Sequence, residues 1–229
     1  RSSSSAASDV YKRQRYSLFS SSKSLSEELG LTIDVELSPS YNIGPGNSVL
    51  TVYFNQEKQN KAFTFADWGL KTPQNFHINS RIETVDTAPR FRDAWQESRS
   101  LIPANGFYEW YQDGLIKQPY YIYHKDHKPL FFAGLNFSLS EEERNVVILT
   151  TEADKNIETI HSRMPLIIPA EYNEAWLSGN MSKEDAVLAS RKIELVTHTV
   201  SSRVNKMIHN DTSLIEQKDP IKDDQLRLF

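Results

Sequence analysis

The sequence reads Gly106-Phe107-Tyr108-Glu109-Trp110-Tyr111 at the centre of a run of segments rich in aromatic and branched residues. Short polar connections separate these segments, and one of them, Asp113-Gly114, is a dipeptide typical of hairpin turns. The predicted strands cover residues 100–103, 107–111, 120–124, 130–135 and 146–151. Successive hairpins of this kind predict an antiparallel sheet.

Segments on either side of this run complete a mixed fold. Further strands are predicted at residues 15–19, 49–54, 61–65 and 193–200, and helices at 91–99, 154–160, 170–177 and 182–190. Ser24-Leu25-Ser26-Glu27 has the form of a capping box and predicts a helix that ends near Gly30. The predicted fold class is α+β, with a curved or barrel-like antiparallel sheet and peripheral helices.

Composition narrows the class of protein without deciding its function. The chain has 229 residues, 38% of them hydrophobic, which suits a globular domain with a substantial core. It contains no cysteine, so disulfides and thiolate metal sites are excluded. Its six histidines lack metal-ligand spacing, and no metal or cofactor is predicted. The net charge of −4 argues only mildly against nucleic-acid binding, since a local basic cleft is compatible with it.

Several short motifs occur in an order and at a spacing that resemble the SRAP (SOS-response-associated peptidase) family. They are Tyr41-Asn42-Ile43-Gly44-Pro45-Gly46, Trp68-Gly69, Asn79-Ser80-Arg81-Ile82-Glu83-Thr84, Gly106-Phe107-Tyr108-Glu109-Trp110 and Ile160-His161-Ser162-Arg163-Met164-Pro165-Leu166. The resemblance covers about residues 15–205. It implies the fold of that family and a bacterial, cytoplasmic, nucleoid-associated monomer.

The resemblance also implies a reaction with abasic sites in single-stranded DNA. Members of the family remove their own initiator methionine and expose an N-terminal cysteine, which crosslinks to the ring-opened sugar. Its α-amine, with a pKa of about 7.7–8.0, would attack the aldehyde and form an imine. Its thiol would then close a thiazolidine, a protective DNA–protein crosslink. The implied activities are those of a cysteine-type peptidase acting on itself and of a lyase-like crosslinking protein.

The N-terminal residues depart from the family pattern. Arg15-Tyr16 matches the family, but Gln14 stands where it has glycine and Arg13 where it has the nucleophilic cysteine. Residues 1–14 are therefore interpreted as a non-native leader, because part of them resembles translated sequencing-adapter DNA. A natural Ser-rich leader on a cysteine-free homologue is the alternative, and a signal peptide is excluded by the lack of an apolar core. The printed chain is predicted to be inactive in crosslinking.

Three residues are the candidates for catalysis. Glu109 lies between aromatic residues, which disfavour its charged form, and alternation along a strand predicts that it faces away from Tyr108 and Trp110. By resemblance, His161 would protonate the sugar or help to open it. Asn79 would hydrogen-bond the sugar or the N-terminal amine. The alternatives are a surface strand glutamate for Glu109 and a capping or surface residue for His161.

Five residues are predicted to contact DNA. Arg15, Arg81 and Arg163 are assigned to phosphates. Trp68 and Trp110 would stack on bases flanking the lesion, with core packing as the alternative for each. Asn79 and Arg81 are two residues apart, so both would face the same side of an extended segment. Glu83 is expected to orient Arg81.

The chain is predicted to end in a flexible tail over residues 211–229, after a domain that covers 15–210. The last five residues resemble the pentapeptide by which bacterial repair proteins dock on the DNA sliding clamp, an interaction that would use Gln225, Leu226, Leu228 and Phe229. An unremarkable hydrophobic C-terminus is the alternative.

Two other functions stay open from the sequence. A noncovalent module that binds single-stranded or modified DNA is the first. A true cysteine-type peptidase acting on other proteins is the second, although no second thiol, Ser-His-Asp order or metal site supports it. Salt dependence separates crosslinking from noncovalent binding, because phosphate contacts weaken at high salt and a covalent adduct does not.

Overall fold

The computed structural model describes residues 14–114, 116–138, 140 and 143–221. Arg13 and the predicted clamp-binding residues 225–229 lie outside these ranges, as does nearly all of the predicted leader. Within them, helices α1 to α4 cover Ser22–Leu29, Arg92–Glu97, Asn173–Leu177 and Lys183–Ser190. None of the helices in these ranges is long and apolar enough to cross a membrane.

The strands of the described ranges, in chain order, form three sheets. They are β1 (Arg15–Leu18), β2 (Ser40–Ile43), β3 (Ser48–Asn55), β4 (Asn60–Trp68), β5 (Leu70–Lys71), β6 (Phe76–His77), β7 (Asn79–Arg81), β8 (Arg99–Ala104), β9 (Gly106–Asp113), β10 (Ile116–His124), β11 (Leu130–Ser138), β12 (Arg144–Glu152), β13 (Arg163–Pro165) and β14 (Leu195–Thr199). One sheet has the order β14-β10-β9-β1-β2, and β5 pairs with β6 alone.

The largest sheet closes on itself. Its strands pair in the sequence β11-β8-β3-β4-β12, and β12 pairs again with β11, so these five form a ring. Strands β13 and β7 extend the sheet from β12. The predicted barrel-like α+β fold is confirmed. It differs in one respect: β12 runs parallel to β4 and to β7. Parallel strands are joined by long connections, so hairpin signals in the sequence do not reveal this pairing.

The main hydrophobic core lies between the two large sheets, and a smaller cluster of buried residues is separate from it. Tyr16 and Phe107 each make an edge-to-face contact with Phe132, at ring-centroid distances of 5.7 and 5.9 Å, and so join the first sheet to the ring. On the other face of the first sheet, a second cluster contains Tyr108, Trp110, Tyr121, Val200, Val204 and Leu214. Strand β9 therefore packs apolar side chains on both of its faces.

Two local predictions need correction. Residues 154–160 form hydrogen-bonded turns and no helix; the His161 amide bonds to the Ile157 carbonyl at 3.0 Å. Helix α1 is capped by Ser21, whose hydroxyl accepts from the Ser24 amide, so the predicted cap at Ser24 lies inside the helix. The predicted end at Gly30 is confirmed, because Gly30 has φ of 57°.

Residues 211–221 do not form the flexible tail that the sequence predicts. Leu214 is fully buried in the second cluster, and the Ile221 amide donates to Gln118 Oε1 at 2.7 Å. The Lys218 amide also donates to the Thr199 carbonyl at 2.9 Å. Residues 211–221 are thus part of the packed domain. A single buried leucine anchors a segment whose average composition is polar, which is why composition placed the boundary wrongly.

Candidate active site

A pocket of about 270 Å³ opens where β1, β7, β9 and β13 meet. Its lining includes seven of the eight predicted catalytic or DNA-contacting residues: Arg15, Trp68, Asn79, Arg81, Glu109, His161 and Arg163. These residues lie up to 148 positions apart in the chain, since Arg15 and Arg163 share the pocket. The pairing of β1 with β9 brings the start of the domain beside the Glu109 strand, with Arg15 opposite Tyr108.

Glu109 is buried in the pocket wall. Its side chain is 13% exposed, so it is no surface glutamate. Burial raises the pKa of Glu109 to about 8, although a hydrogen bond from the Trp110 backbone amide acts in the opposite direction. A carboxyl group with this pKa is mostly protonated at neutral pH and serves as a proton donor or acceptor near physiological conditions.

His161 lies across the pocket from Glu109. Its Nδ1 atom is 3.9 Å from Glu109 Oε2, and its side chain is 46% exposed. The Arg163 backbone presents its amide at 3.2 Å and its carbonyl at 3.0 Å to the same nitrogen. Either tautomer therefore finds a backbone partner in Arg163.

Asn79 and Arg81 both line the pocket, as their spacing predicts. Strand β7 is held by parallel pairing with β12, which sets Asn79 opposite Ile148 and Arg81 opposite Thr150. The Asn79 Oδ1 atom is buried and has no hydrogen-bond partner among the described residues. An unsatisfied buried acceptor costs about 1–3 kcal/mol, so the pocket favours a ligand with a hydroxyl or amine donor there.

Arg163 and Glu83 form an ion pair that the sequence did not predict. Arg163 Nη1 and Nη2 donate to Glu83 Oε1 and Oε2 at 2.6 and 2.9 Å. Glu83 was expected to orient Arg81, and the structure gives its two hydrogen bonds to Arg163 instead. Arg163 Nη2 also donates to the Thr150 carbonyl at 2.7 Å. Thr150 belongs to no motif, and its place at the pocket follows only from the β12–β13 pairing.

Arg15 is 4% exposed, and its guanidinium group packs on the Gly44 turn. A Cβ atom on Gly44 would lie 2.5 Å from Arg15 Nη1, so any other residue at this position would force the Arg15 side chain to shift. The Gly44-Pro45-Gly46 segment is thus a turn near the site, as predicted. Gln14, the first described residue, also lines the pocket, so this end of the described chain lies at the site.

The two tryptophans differ in location. Trp68 lines the pocket but is 3% exposed, and its Nε1 donates to the Ile78 carbonyl at 3.0 Å. Trp110 is 6% exposed, belongs to the second cluster and donates to Asn205 Oδ1 at 2.7 Å. Its ring faces away from the pocket because it neighbours Glu109 on an alternating strand. The position of Trp110 therefore matches the core-packing alternative, and base stacking by this residue stays a prediction that its position does not support.

The sequence of this chain matches a known protein family over most of its length. The family model described as SOS response associated peptidase (SRAP) matches residues 14–207, and the chain belongs to that family. Abasic site processing protein YedK of Escherichia coli (strain K12) is 30% identical over 82% of this chain and 89% of its own length. Abasic site processing protein YoqW of Bacillus subtilis (strain 168) is 31% identical, over 88% of this chain and 98% of YoqW.

Solved structures support the same fold. A protein from Bacteroides thetaiotaomicron has a TM-score of 0.73 at 20% identity, with 89% of this chain and 99% of that chain covered. A phage-related protein from Bordetella bronchiseptica has a TM-score of 0.66 at 28% identity, with coverage of 82% and 93%. The first likeness concerns the fold alone.

Proposed function

We propose that this protein processes abasic sites in single-stranded DNA, and that its cysteine-bearing form traps them as a covalent DNA–protein crosslink. One observation carries the proposal: Glu109, His161 and Asn79 share a single pocket with Gln14, the residue next to the position that matches the family's cysteine. The relatives YedK and YoqW, both named abasic site processing proteins, support the same substrate.

The chemistry begins with opening of the sugar ring. His161 donates a proton to the ring oxygen as its bond to C1 breaks, and the C1 hydroxyl group gives its proton to solvent and becomes the aldehyde. Asn79 Oδ1 accepts a hydrogen bond from a sugar hydroxyl or the attacking amine. The neutral α-amine adds to the aldehyde carbon, and a proton moves from its nitrogen to the new alkoxide. Protonated Glu109 then donates a proton to the departing hydroxyl group and takes one back from the nitrogen, so that water leaves and a neutral imine remains. Arg81, Arg163 and Arg15 hold the flanking phosphates.

Ring closure distinguishes a durable adduct from a transient one. The cysteine thiolate adds to the imine carbon, and a proton reaches the nitrogen, which gives a five-membered thiazolidine. The overall reaction joins protein and DNA with loss of one water molecule. Removal of the initiator methionine precedes it, because the α-amine must be free. With arginine at position 13 and no cysteine elsewhere, the printed chain binds such DNA without forming the ring.

The test compares three proteins on single-stranded DNA that carries one abasic site. They are the printed chain and two variants in which Met-Cys-Gly or Met-Ser-Gly replaces residues 1–14. A band that survives denaturing electrophoresis is expected only with Met-Cys-Gly, and the serine variant should be captured only after borohydride reduction of its imine. Absence of an adduct from all three would refute the crosslinking proposal.

A noncovalent DNA-binding module is the second candidate, favoured by the absence of cysteine from this chain. It predicts preferential binding of abasic DNA by the printed chain and no adduct in any variant. The separation is direct, because such binding weakens steeply with salt.

We also propose that the C-terminal pentapeptide docks on the DNA sliding clamp through Gln225, Leu226, Leu228 and Phe229. The sequence match supports this partner. Replacement of Leu228 and Phe229 by alanine should abolish binding to purified bacterial clamp, whereas Lys222→Ala should leave it intact. Equal binding by both variants would contradict the proposal.

A further inference from the structure

The Glu83–Arg163 pair is unusual for an ion pair at a pocket rim because both carboxylate oxygens are engaged. The two donor–acceptor distances are 2.6 and 2.9 Å, and the Arg163 side chain is only 20% exposed. Bidentate geometry fixes the plane of the guanidinium group as well as its position. An isolated surface ion pair with a single contact, in contrast, fixes little.

The same guanidinium group has a third anchor and a free donor. Its Nη2 donates to the Thr150 carbonyl at 2.7 Å. A guanidinium group carries five N–H donors, of which three are engaged by these contacts. The Nε atom is buried without a partner among the described residues and is not exposed to the pocket. Nη1 makes one hydrogen bond among the described residues, so one of its two N–H groups is unused. The pair therefore orients Arg163 while leaving it one Nη1 donor for a ligand at the pocket.

Glu83 is itself held in place. It lies in the short 3-10 helix Ile82–Thr84 that follows β7, and Ile82 is 1% exposed. Lys183 of α4 pairs with Asp86 at 2.7 Å and lies 3.5 Å from the Glu83 carbonyl. Burial disfavours the Glu83 carboxylate and is the largest single effect, but the Arg163 hydrogen bonds, a backbone hydrogen bond and the charges of Arg163 and Arg81 together hold the pKa of Glu83 below its usual value. The carboxylate is therefore charged at neutral pH.

We infer that Glu83 is a positioning residue that also limits binding of undamaged DNA: it fixes Arg163 for one phosphate geometry and cancels its charge toward any other. This inference rests on the proposed function and deepens it. A cation that is already paired with a carboxylate attracts a randomly placed phosphate weakly. A phosphate beside a sugar seated in the pocket reaches the remaining Nη1 donor, so the contact is made chiefly in the productive complex.

The test uses two changes at Glu83 with different consequences. Glu83→Gln removes the charge but keeps an acceptor, and Glu83→Asp keeps the charge but is one methylene too short for the bidentate contact. Glu194→Gln is the matched control, because Glu194 pairs with Lys125 at 2.7 Å and does not line the pocket. Noncovalent binding of intact and abasic single-stranded DNA is measured with the printed chain over a salt series. Adduct formation at saturating DNA is measured with the Met-Cys-Gly variant.

The expected results differ for the two variants. Glu83→Gln should bind intact DNA more tightly, steepen the salt dependence by about 0.7 in log–log slope, and lose preference for abasic DNA. Glu83→Asp should keep the parent slope. Both should form adduct about tenfold or more slowly than the parent, because Arg163 is no longer fixed. Glu194→Gln should match the parent in every measurement.

Two results would overturn the inference. The first is that both Glu83 variants behave as Glu194→Gln does, which would make Glu83 an ordinary surface ion pair. The second is a joint fall of intact-DNA affinity, adduct rate and melting temperature in Glu83→Gln, which would make its role merely structural. If the Met-Cys-Gly parent forms no adduct, the proposed crosslinking fails, and the salt slope and the preference for abasic DNA still decide the role of Glu83.

Discussion

The two faces of strand β9 place neighbouring residues in opposite surroundings. Glu109 faces the pocket, where burial raises its pKa to about 8. Trp110 faces the second cluster, where it is 6% exposed and bonded to Asn205. Both belong to one short motif and both were predicted to act on DNA. The difference teaches that the motif divides into a residue that faces the pocket and a residue that packs in the second cluster, separated by the alternation of the strand.

The largest expected effect comes from the pocket face. In the Met-Cys-Gly variant, Glu109→Gln removes the proton donor while keeping size and shape, so adduct formation should slow by about 10²- to 10⁴-fold. Single-turnover kinetics on abasic single-stranded DNA measure this rate. Glu194→Gln serves as the control. A rate for Glu109→Gln within threefold of the parent would remove Glu109 from the mechanism.

The opposite face should affect stability. Trp110→Ala deletes a buried indole from the second cluster and should lower the free energy of unfolding by about 3–5 kcal/mol. Denaturant titration measures the loss. Trp110→Phe keeps most of the apolar contact and should bind single-stranded DNA as tightly as the parent. A large loss of DNA affinity in the folded Trp110→Phe variant would restore the base-stacking role.

The pH dependence of stability sharpens the comparison further. The folded protein holds the Glu109 proton up to about pH 8, whereas the unfolded chain releases it near the ordinary value of 4.5. Stability attributable to this group is therefore full below the lower value and is lost as pH rises toward 8. The advantage of Glu109→Gln over the parent should grow by about 2–4 kcal/mol from pH 5 to pH 8. A constant difference across that range would mean that Glu109 ionises normally.

The smallest effect should come from Arg81, which is exposed at the pocket rim. Arg81→Ala should reduce the log–log salt slope of single-stranded DNA binding by about 0.7, as expected for the loss of one phosphate contact. Its melting temperature should match that of the parent, because the side chain is not part of the core. Lys71→Ala, on another exposed strand residue outside the pocket, is the control. An unchanged slope for Arg81→Ala would exclude Arg81 from the phosphate contacts.

Local sequence patterns predicted much of the fold and part of the site. The hairpin signals around Gly106–Asp113 gave the correct strands, and the period of two gave the orientation of Glu109 relative to Trp110. The same period correctly brought Asn79 and Arg81 to one side. Composition failed for residues 211–221, where burial of Leu214 outweighs a polar average. The helix predicted at residues 154–160 is wrong, because the backbone hydrogen bonds of this segment form turns.

The sequence by itself determined the family, the strand pattern and the identity of the acidic, basic and amide groups, because each depends on neighbouring residues or on short motifs. Only the tertiary structure decided which groups meet. Ring closure from β11 to β12 and the parallel pairing of β7 with β12 bring Asn79 to the pocket, and pairing of β1 with β9 brings Arg15 there. The partner of Glu83 and the burial that shifts Glu109 depend on contacts between residues distant in the chain. Hydrogen bonds and desolvation act through space, so local patterns do not contain them.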